Sequence, residues 1–119
     1  MSRADSTAAD PPDTSRVAVL HVDDDAAFAD LVATYLERVD DAITVETCTD
    51  ATEAPDRIAA GEFDCVVSDY DMPGMDGLEL LDAVSADHPD LPFVLFTGKG
   101  SEEIASEAIS AGVTDYLQK

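Results

Sequence analysis

Asp69 stands where the short run Asp64-Cys65-Val66-Val67-Ser68 meets the turn Tyr70-Asp71-Met72-Pro73-Gly74-Met75-Asp76-Gly77. Pro and Gly stop a strand there, which places the Asp69 carboxylate at its C-terminal tip. A carboxylate so placed can bind a metal or act as a nucleophile. Three other apolar runs end in reactive groups: Val17–Val22 in Asp23-Asp24-Asp25, Pro92–Phe96 in Thr97, and Asp115–Gln118 in Lys119. Crowding Asp23, Asp24 and Asp69 together costs energy unless a proton or cation intervenes. Mg²⁺ suits such a cluster, because it takes hard oxygen ligands and keeps several waters. A phosphoryl group needs counter-charge and hydrogen-bond donors, which Lys119, the Thr97 hydroxyl and the Gly98 N–H would supply. The set predicts an acidic Mg²⁺ site at which a carboxylate accepts a phosphoryl group. The plainer alternative makes each carboxylate one more solvated acid, and the convergence on one edge weighs against it.

That convergence depends on the elements beneath it. Val17–Val22 is a continuous apolar run of strand length, as buried parallel strands show. Phe28, Leu31, Val32, Tyr35, Leu36 and Val39 follow at spacings of three and one, which makes one apolar helix face. Ile43–Val45 predicts a short second strand. Thr52–Ala60 predicts a helix with Pro55 in its first turn and Gly61 at its end. Phe63–Ser68 predicts the third strand, and Leu78, Leu81 and Val84 mark a helix ending before Pro89. Pro92–Thr97 predicts the fourth strand, and a helix capped by Ser101 runs through Ile104, Ala105, Ala108 and Ile109 to Gly112. Asp115–Gln118 predicts the fifth strand. Five strands alternating with four helices predict a parallel α/β sheet with right-handed crossovers. Such sheets bind ligands beyond the C-terminal strand ends, at the switch point in strand order. Residues 1–14, polar and carrying Pro11-Pro12, read as a disordered leader to a single domain spanning 15–119.

The chain of 119 residues carries 27 acidic and 6 basic groups, a formal net charge of −21. Such a charge repels nucleic acid and anionic membrane surfaces, so neither is an expected partner. Adaptation to high salt, mimicry of nucleic acid and a cation site each explain acidity; dispersal of the acids over the whole chain favours the first. No apolar run reaches the ~20 residues of a membrane span. No signal-type stretch precedes Val17, so the cytoplasm is the default location. Cys48 and Cys65 match no zinc spacing and read as small buried hydrophobes. His21 reads as a core or edge residue, and His88 and Lys99 as loop side chains.

Taken together, Val22-Asp23-Asp24, the run Ser68–Gly77, Thr97-Gly98 and Tyr116-Leu117-Gln118-Lys119 resemble the receiver domains of two-component response regulators, the CheY-like family, from about Arg16 to Lys119. The resemblance implies a doubly wound sheet of order 2-1-3-4-5 with Asp69 as phosphoacceptor. It implies that Asp24 ligates the metal directly, Asp23 through water, and Asp71 through its main-chain carbonyl, the ion being Mg²⁺ or Mn²⁺. Thr97 and Lys119 would contact the phosphoryl group, and Tyr116 would change rotamer with Thr97 on activation. Asp71 and Lys99 would modulate hydrolysis of the acyl phosphate. The implied partners are a sensor histidine kinase or phosphotransfer protein and an output domain or effector; the domain would act in signalling and not as a metabolic enzyme. The triple aspartate places Asp25 in the first helix turn, where an acid suits the dipole. Family members continue past the lysine into a fifth helix, so an apolar face is expected to lie uncovered here.

Val66–Asp71 also resembles the nucleophile motif of haloacid-dehalogenase-type phosphohydrolases. In those enzymes the acidic pair lies downstream of the nucleophile, whereas here it lies upstream. An EF-hand reading fails because Pro73 and Leu80 occupy ligand positions, and Gly98-Lys99-Gly100-Ser101 lacks P-loop spacing. A non-phosphorylated interaction module on the same fold is the remaining alternative.

Overall fold

The computed structural model describes residues 16–98 and 102–119. The expected leader and the positions of Lys99 and Ser101 lie outside the described residues. Five strands, β1 (Val17–Val22), β2 (Ile43–Cys48), β3 (Cys65–Ser68), β4 (Phe93–Thr97) and β5 (Asp115–Gln118), form one parallel sheet in the order 2-1-3-4-5. Four helices connect them: α1 (Ala26–Val39), α2 (Ala54–Ala60), α3 (Gly77–Asp87) and α4 (Glu102–Ala111). The strand order reverses between β1 and β3, which is where doubly wound sheets place ligands.

Alternation along the strands divides the two faces. Leu20, Val22, Val66, Phe93 and Leu95 point to one side, where they meet Ile58 of α2, Leu80, Leu81 and Val84 of α3, and Ala108 of α4. The opposite side carries α1. Register then fixes the heights of the strand tips. Val22 pairs with Ser68, so Asp23 and Asp69 are the next residues on adjacent strands. Thr97 pairs with Gln118, which brings Lys119 one step beyond the same edge. A hydrogen bond locks each tip to its neighbour: Asp23 N–H to the Cys48 carbonyl (3.0 Å), Asp69 N–H to the Val22 carbonyl (2.9 Å) and Lys119 N–H to the Thr97 carbonyl (3.2 Å).

Several boundaries differ from expectation for local reasons. β2 runs three residues past Val45 because all six of its residues pair with β1. Arg57 ties the end of this edge strand to α2 by donating to the Thr47 carbonyl (2.8 Å) and pairing with Glu46. β3 starts at Cys65, not Phe63, because Asp64 replaces a ladder rung with its side chain: its Oδ2 accepts from the Ala18 N–H at 2.8 Å. β4 starts after Pro92, whose carbonyl still accepts from Val66 N–H at 2.9 Å. The expected Thr52–Ala60 helix is a 3-10 turn, Ala51–Glu53, capped by Asp50 and leading into α2 with Pro55 near its start. Gly61 ends α2 in extended backbone, while Gly112 ends α4 at φ +100°. Asp25 lies outside the first turn: it is the N-cap of α1, its carboxylate accepting from Phe28 N–H at 3.1 Å.

The apolar face of α1 is largely in solvent: Leu31 and Tyr35 are each 65% exposed and Val39 is 62% exposed. Only Ala29 of this helix is fully buried. Among the described residues, α1 is the one helix on its side of the sheet. β3, β4 and β5 are therefore open there. Phe28, Leu31, Val32, Tyr35 and Leu36 of α1 and Val67, Val94, Phe96 and Leu117 of the sheet line an apolar groove of about 560 Å³. The uncovered face expected from the sequence is this groove.

Candidate functional site

The loop after β3 folds back behind Asp69. Met72 turns inward and is buried, and Gly74 adopts φ +82°, a conformation open to glycine at little cost. Gly77 N–H donates to the Tyr70 carbonyl at 2.8 Å, which closes the loop on itself. α3 then begins with a reciprocal capping box. Glu79 N–H donates to the Asp76 carboxylate (2.8 Å) and Asp76 N–H to the Glu79 carboxylate (2.9 Å). A Cβ on Gly77 would stand 2.5 Å from the Asp69 carbonyl oxygen and 2.7 Å from Leu95. Glycine is therefore the side chain that lets α3 start directly against the strand carrying Asp69. Sequence reasoning used this residue as a strand stop and as the end of the run Ser68–Gly77, and did not see this close approach.

Asp69 is 7% exposed and Asp23 is wholly buried. The ammonium of Lys119 lies between them, 2.8 Å from Asp23 Oδ2 and 3.3 Å from Asp69 Oδ2. The other oxygens take backbone donors: Asp25 N–H to Asp23 Oδ1 (2.9 Å) and Tyr70 N–H to Asp69 Oδ1 (2.8 Å). A carboxylate stripped of water needs such partners, since an unpaired buried charge is strongly destabilising. Burial alone would lower the Lys119 pKa. The hydrogen bond to Asp23 and the charges of Asp23 and Asp69 outweigh that effect and raise it. Lys119 is thus a firmly protonated cation at this edge.

Asp24 is exposed at the rim, and one oxygen each from Asp23, Asp24 and Asp69 lies within 4.8 Å of the others. Three carboxylates against one ammonium leave a surplus of negative charge. Oxygen donors at this spacing, open to solvent through Asp24, fit a hard divalent cation that keeps part of its water shell. Thr97 is fully buried at the tip of β4. Asp71 is exposed in the turn beyond Asp69. Tyr116, on β5, packs against the core with its hydroxyl buried and without a hydrogen-bond partner among the described residues. The structure therefore brings Asp23, Asp24, Asp69 and Lys119 into one cluster, with Thr97 on the strand tip beside it. Tyr116 sits farther down, two residues behind Thr97's partner height on the neighbouring strand.

Two neighbours of the cluster were read from sequence only as packing residues. His21, wholly buried on β1, has Nε2 4.0 Å from Asp23 Oδ2. Burial pushes its pKa down, against the pull of Asp23. Among the described residues, neither ring nitrogen has a hydrogen-bond partner. Phe28 holds its ring 4.2 Å beneath the Lys119 ammonium. Its position five residues after Asp23 was the available signal, because that distance reaches the first turn of the following helix.

A doubly wound sheet with carboxylates and a lysine at its switch point defines a class of α/β domains with an anionic site at the strand tips. Comparison with known proteins narrows the class. The Response regulator receiver domain profile matches residues 19–119. The transcriptional regulatory protein FixJ of Bradyrhizobium diazoefficiens is 36% identical over 106 residues, 89% of this chain and 51% of that protein. The chemotaxis protein CheY of Pseudomonas aeruginosa is 35% identical over 85% of this chain and 82% of its own length. Among solved structures, chemotaxis protein CheY4 of Vibrio cholerae superposes with a TM-score of 0.79 at 31% identity, covering 87% of both chains. The chain belongs to the response regulator receiver domain family. It is a receiver domain of two-component signalling. It spans about half of FixJ and 22% of the nitrogen assimilation regulator NtrX of Azorhizobium caulinodans. Among the described residues no helix is long and apolar enough to cross a membrane.

Proposed function

We propose that Asp69 accepts a phosphoryl group from a phosphohistidine on a sensor histidine kinase or phosphotransfer protein. The observation that carries this reading is the Lys119 ammonium held at 3.3 Å from the nearly buried Asp69 carboxylate and shared with Asp23. Asp24 would ligate Mg²⁺ directly, Asp69 with it, Asp23 through water, and Asp71 through its main-chain carbonyl; Mn²⁺ has the same donor preference. The ion, when bound, supplies positive charge to the phosphoryl oxygens. An Asp69 carboxylate oxygen attacks phosphorus; an O–P bond forms while the donor's P–N bond breaks, and the imidazole leaves with the electron pair. Lys119 then exchanges carboxylate for phosphoryl oxygen, and the Thr97 hydroxyl closes on the same group. Forming the acyl phosphate removes the Asp69 carboxylate charge and places negative charge on the phosphoryl oxygens, which draws Lys119 away from its carboxylate partner. Tyr116 reports the change by a rotamer shift, transmitted to α4 and β5, where an output domain or effector docks. Asp71 and Lys99 modulate hydrolysis of the acyl phosphate. The domain occupies residues 15–119 and works in the cytoplasm, and its dispersed acidity is an adaptation to high salt.

Acetyl phosphate and Mg²⁺ in concentrated KCl test the reading. The mass of the chain should rise by one phosphoryl group, and the gain should vanish in Asp69→Ala and in the presence of a chelator. A chain that takes no label from any donor, a histidine kinase included, would be a silent interaction module.

A further inference from the structure

We propose that Phe28 is a positioning residue for Lys119, its ring face serving as the second support of the ammonium that works at Asp69. The proposal rests on the reading of Asp69 as phosphoacceptor. Lys119 reaches the site from an edge strand on a flexible four-carbon stem, and hydrogen bonds to Asp23 and Asp69 hold it on one side only. The Phe28 ring holds it on another, at 4.2 Å from the ring centroid. This distance lies within the range in which a cation is attracted by the negative face of a phenyl ring.

The ring is itself fixed. Phe96 of β4 lies 5.8 Å away at 42°, and His21 of β1 lies 6.3 Å away at 64°, edge to face. β1 and β4 are the strands on either side of β3, so the ring is clamped from both flanks of the strand that bears Asp69. The same turn also grips Asp23. Phe28 N–H donates to Asp25, and Asp25 N–H donates to Asp23. Asp23, Asp25, Phe28 and Lys119 thus form a closed circuit of contacts. A ring face has no directional acceptor, so the ammonium can pivot on it from carboxylate to phosphoryl oxygen without breaking a hydrogen bond there. This feature suits a lysine that must move during the reaction.

Two substitutions and one spectrum decide the matter. The Lys119 side-chain protons of the 119-residue chain should resonate upfield of an exposed lysine, because they sit over an aromatic face. Phe28→Leu keeps apolar bulk and removes that face. It should return those shifts to the exposed-lysine range and slow Asp69 labelling by acetyl phosphate about three- to tenfold, with Mg²⁺ affinity by calorimetry unchanged. Phe28→Tyr should restore both shift and rate. Ordinary Lys119 shifts in the unsubstituted chain, a Phe28→Leu chain that labels at full rate, or a Phe28→Tyr chain as slow as Phe28→Leu would each overturn the assignment. If the unsubstituted chain takes no phosphoryl group, the phosphoacceptor reading falls, and the Lys119 shifts still decide where the ammonium sits.

Discussion

At the scale of single residues, the site works by leaving charges almost but not fully compensated. Asp23 has no access to water, and Lys119 is its one cationic contact among the described residues. Lys119→Ala should cost about 2 kcal/mol in urea unfolding without Mg²⁺, because a buried carboxylate loses its partner. Adding Mg²⁺ should recover part of that loss. Tyr116 offers the opposite sign. Its buried hydroxyl lacks a partner, so Tyr116→Phe should stabilise the unphosphorylated chain by about 1 kcal/mol. Cys65 gives a test in pH. Burial raises its thiol pKa, with Asp64 adding to the effect. The folded state therefore favours the neutral thiol, and its contribution to stability is complete below the ordinary cysteine pKa and is lost as pH rises through the folded value. Alkylation of Cys65 by iodoacetamide should stay slow at pH 8 and accelerate only at pH values above those at which an exposed cysteine does.

At the scale of elements, the strand tips were legible because apolar runs ended abruptly in Asp, Thr or Lys, and the turn residues gave those endings a cause. What stayed hidden were contacts made across sequence distance. Nothing near Asp64 signals that its carboxylate replaces a rung beside Ala18, and nothing near Ile43 signals that β2 would extend along the full length of β1. Asp25 shows the limit of dipole reasoning: an acid suits both the first turn and the cap, and the bond from Phe28 decides for the cap. The β3–α3 junction yields the firmest prediction. Gly77→Ala forces a methyl against a backbone oxygen and against Leu95, neither of which is a free-ended surface group. The substitution should cost about 1–3 kcal/mol, seen as a lower urea midpoint, and should slow Asp69 labelling because the strand tip moves.

At the scale of the whole molecule, a formal charge of −21 opposes compaction by self-repulsion. Salt adaptation predicts that the melting temperature climbs steadily from 0.1 M to well above 1 M KCl, where screening acts within ~3 Å. A midpoint independent of KCl would remove the adaptation reading and leave the acidity unexplained. The helix count was legible, since four periodic segments were present, and so was an uncovered face; which residues of α1 would line it was not. Periodicity marks which side chains share a face and says nothing about how much sheet one helix can cover. Leu31, Tyr35 and Val39 have the spacing of core residues and stand in water because the sheet beside them is open.

The three rungs that pin the strand tips carry a last consequence, for the order in which the site comes apart. Only the Asp69 amide joins two interior strands, β3 and β1; the Asp23 amide reaches the edge strand β2, and the Lys119 amide leaves the edge strand β5 and makes the longest of the three bonds. Edge rungs open in local fluctuations that interior rungs do not share. Deuterium should therefore enter at Lys119 well before it enters at Asp69. An opening that carried the Lys119 ammonium away with its backbone would leave Asp23 and Asp69 as a bare anionic cage open to a passing divalent ion.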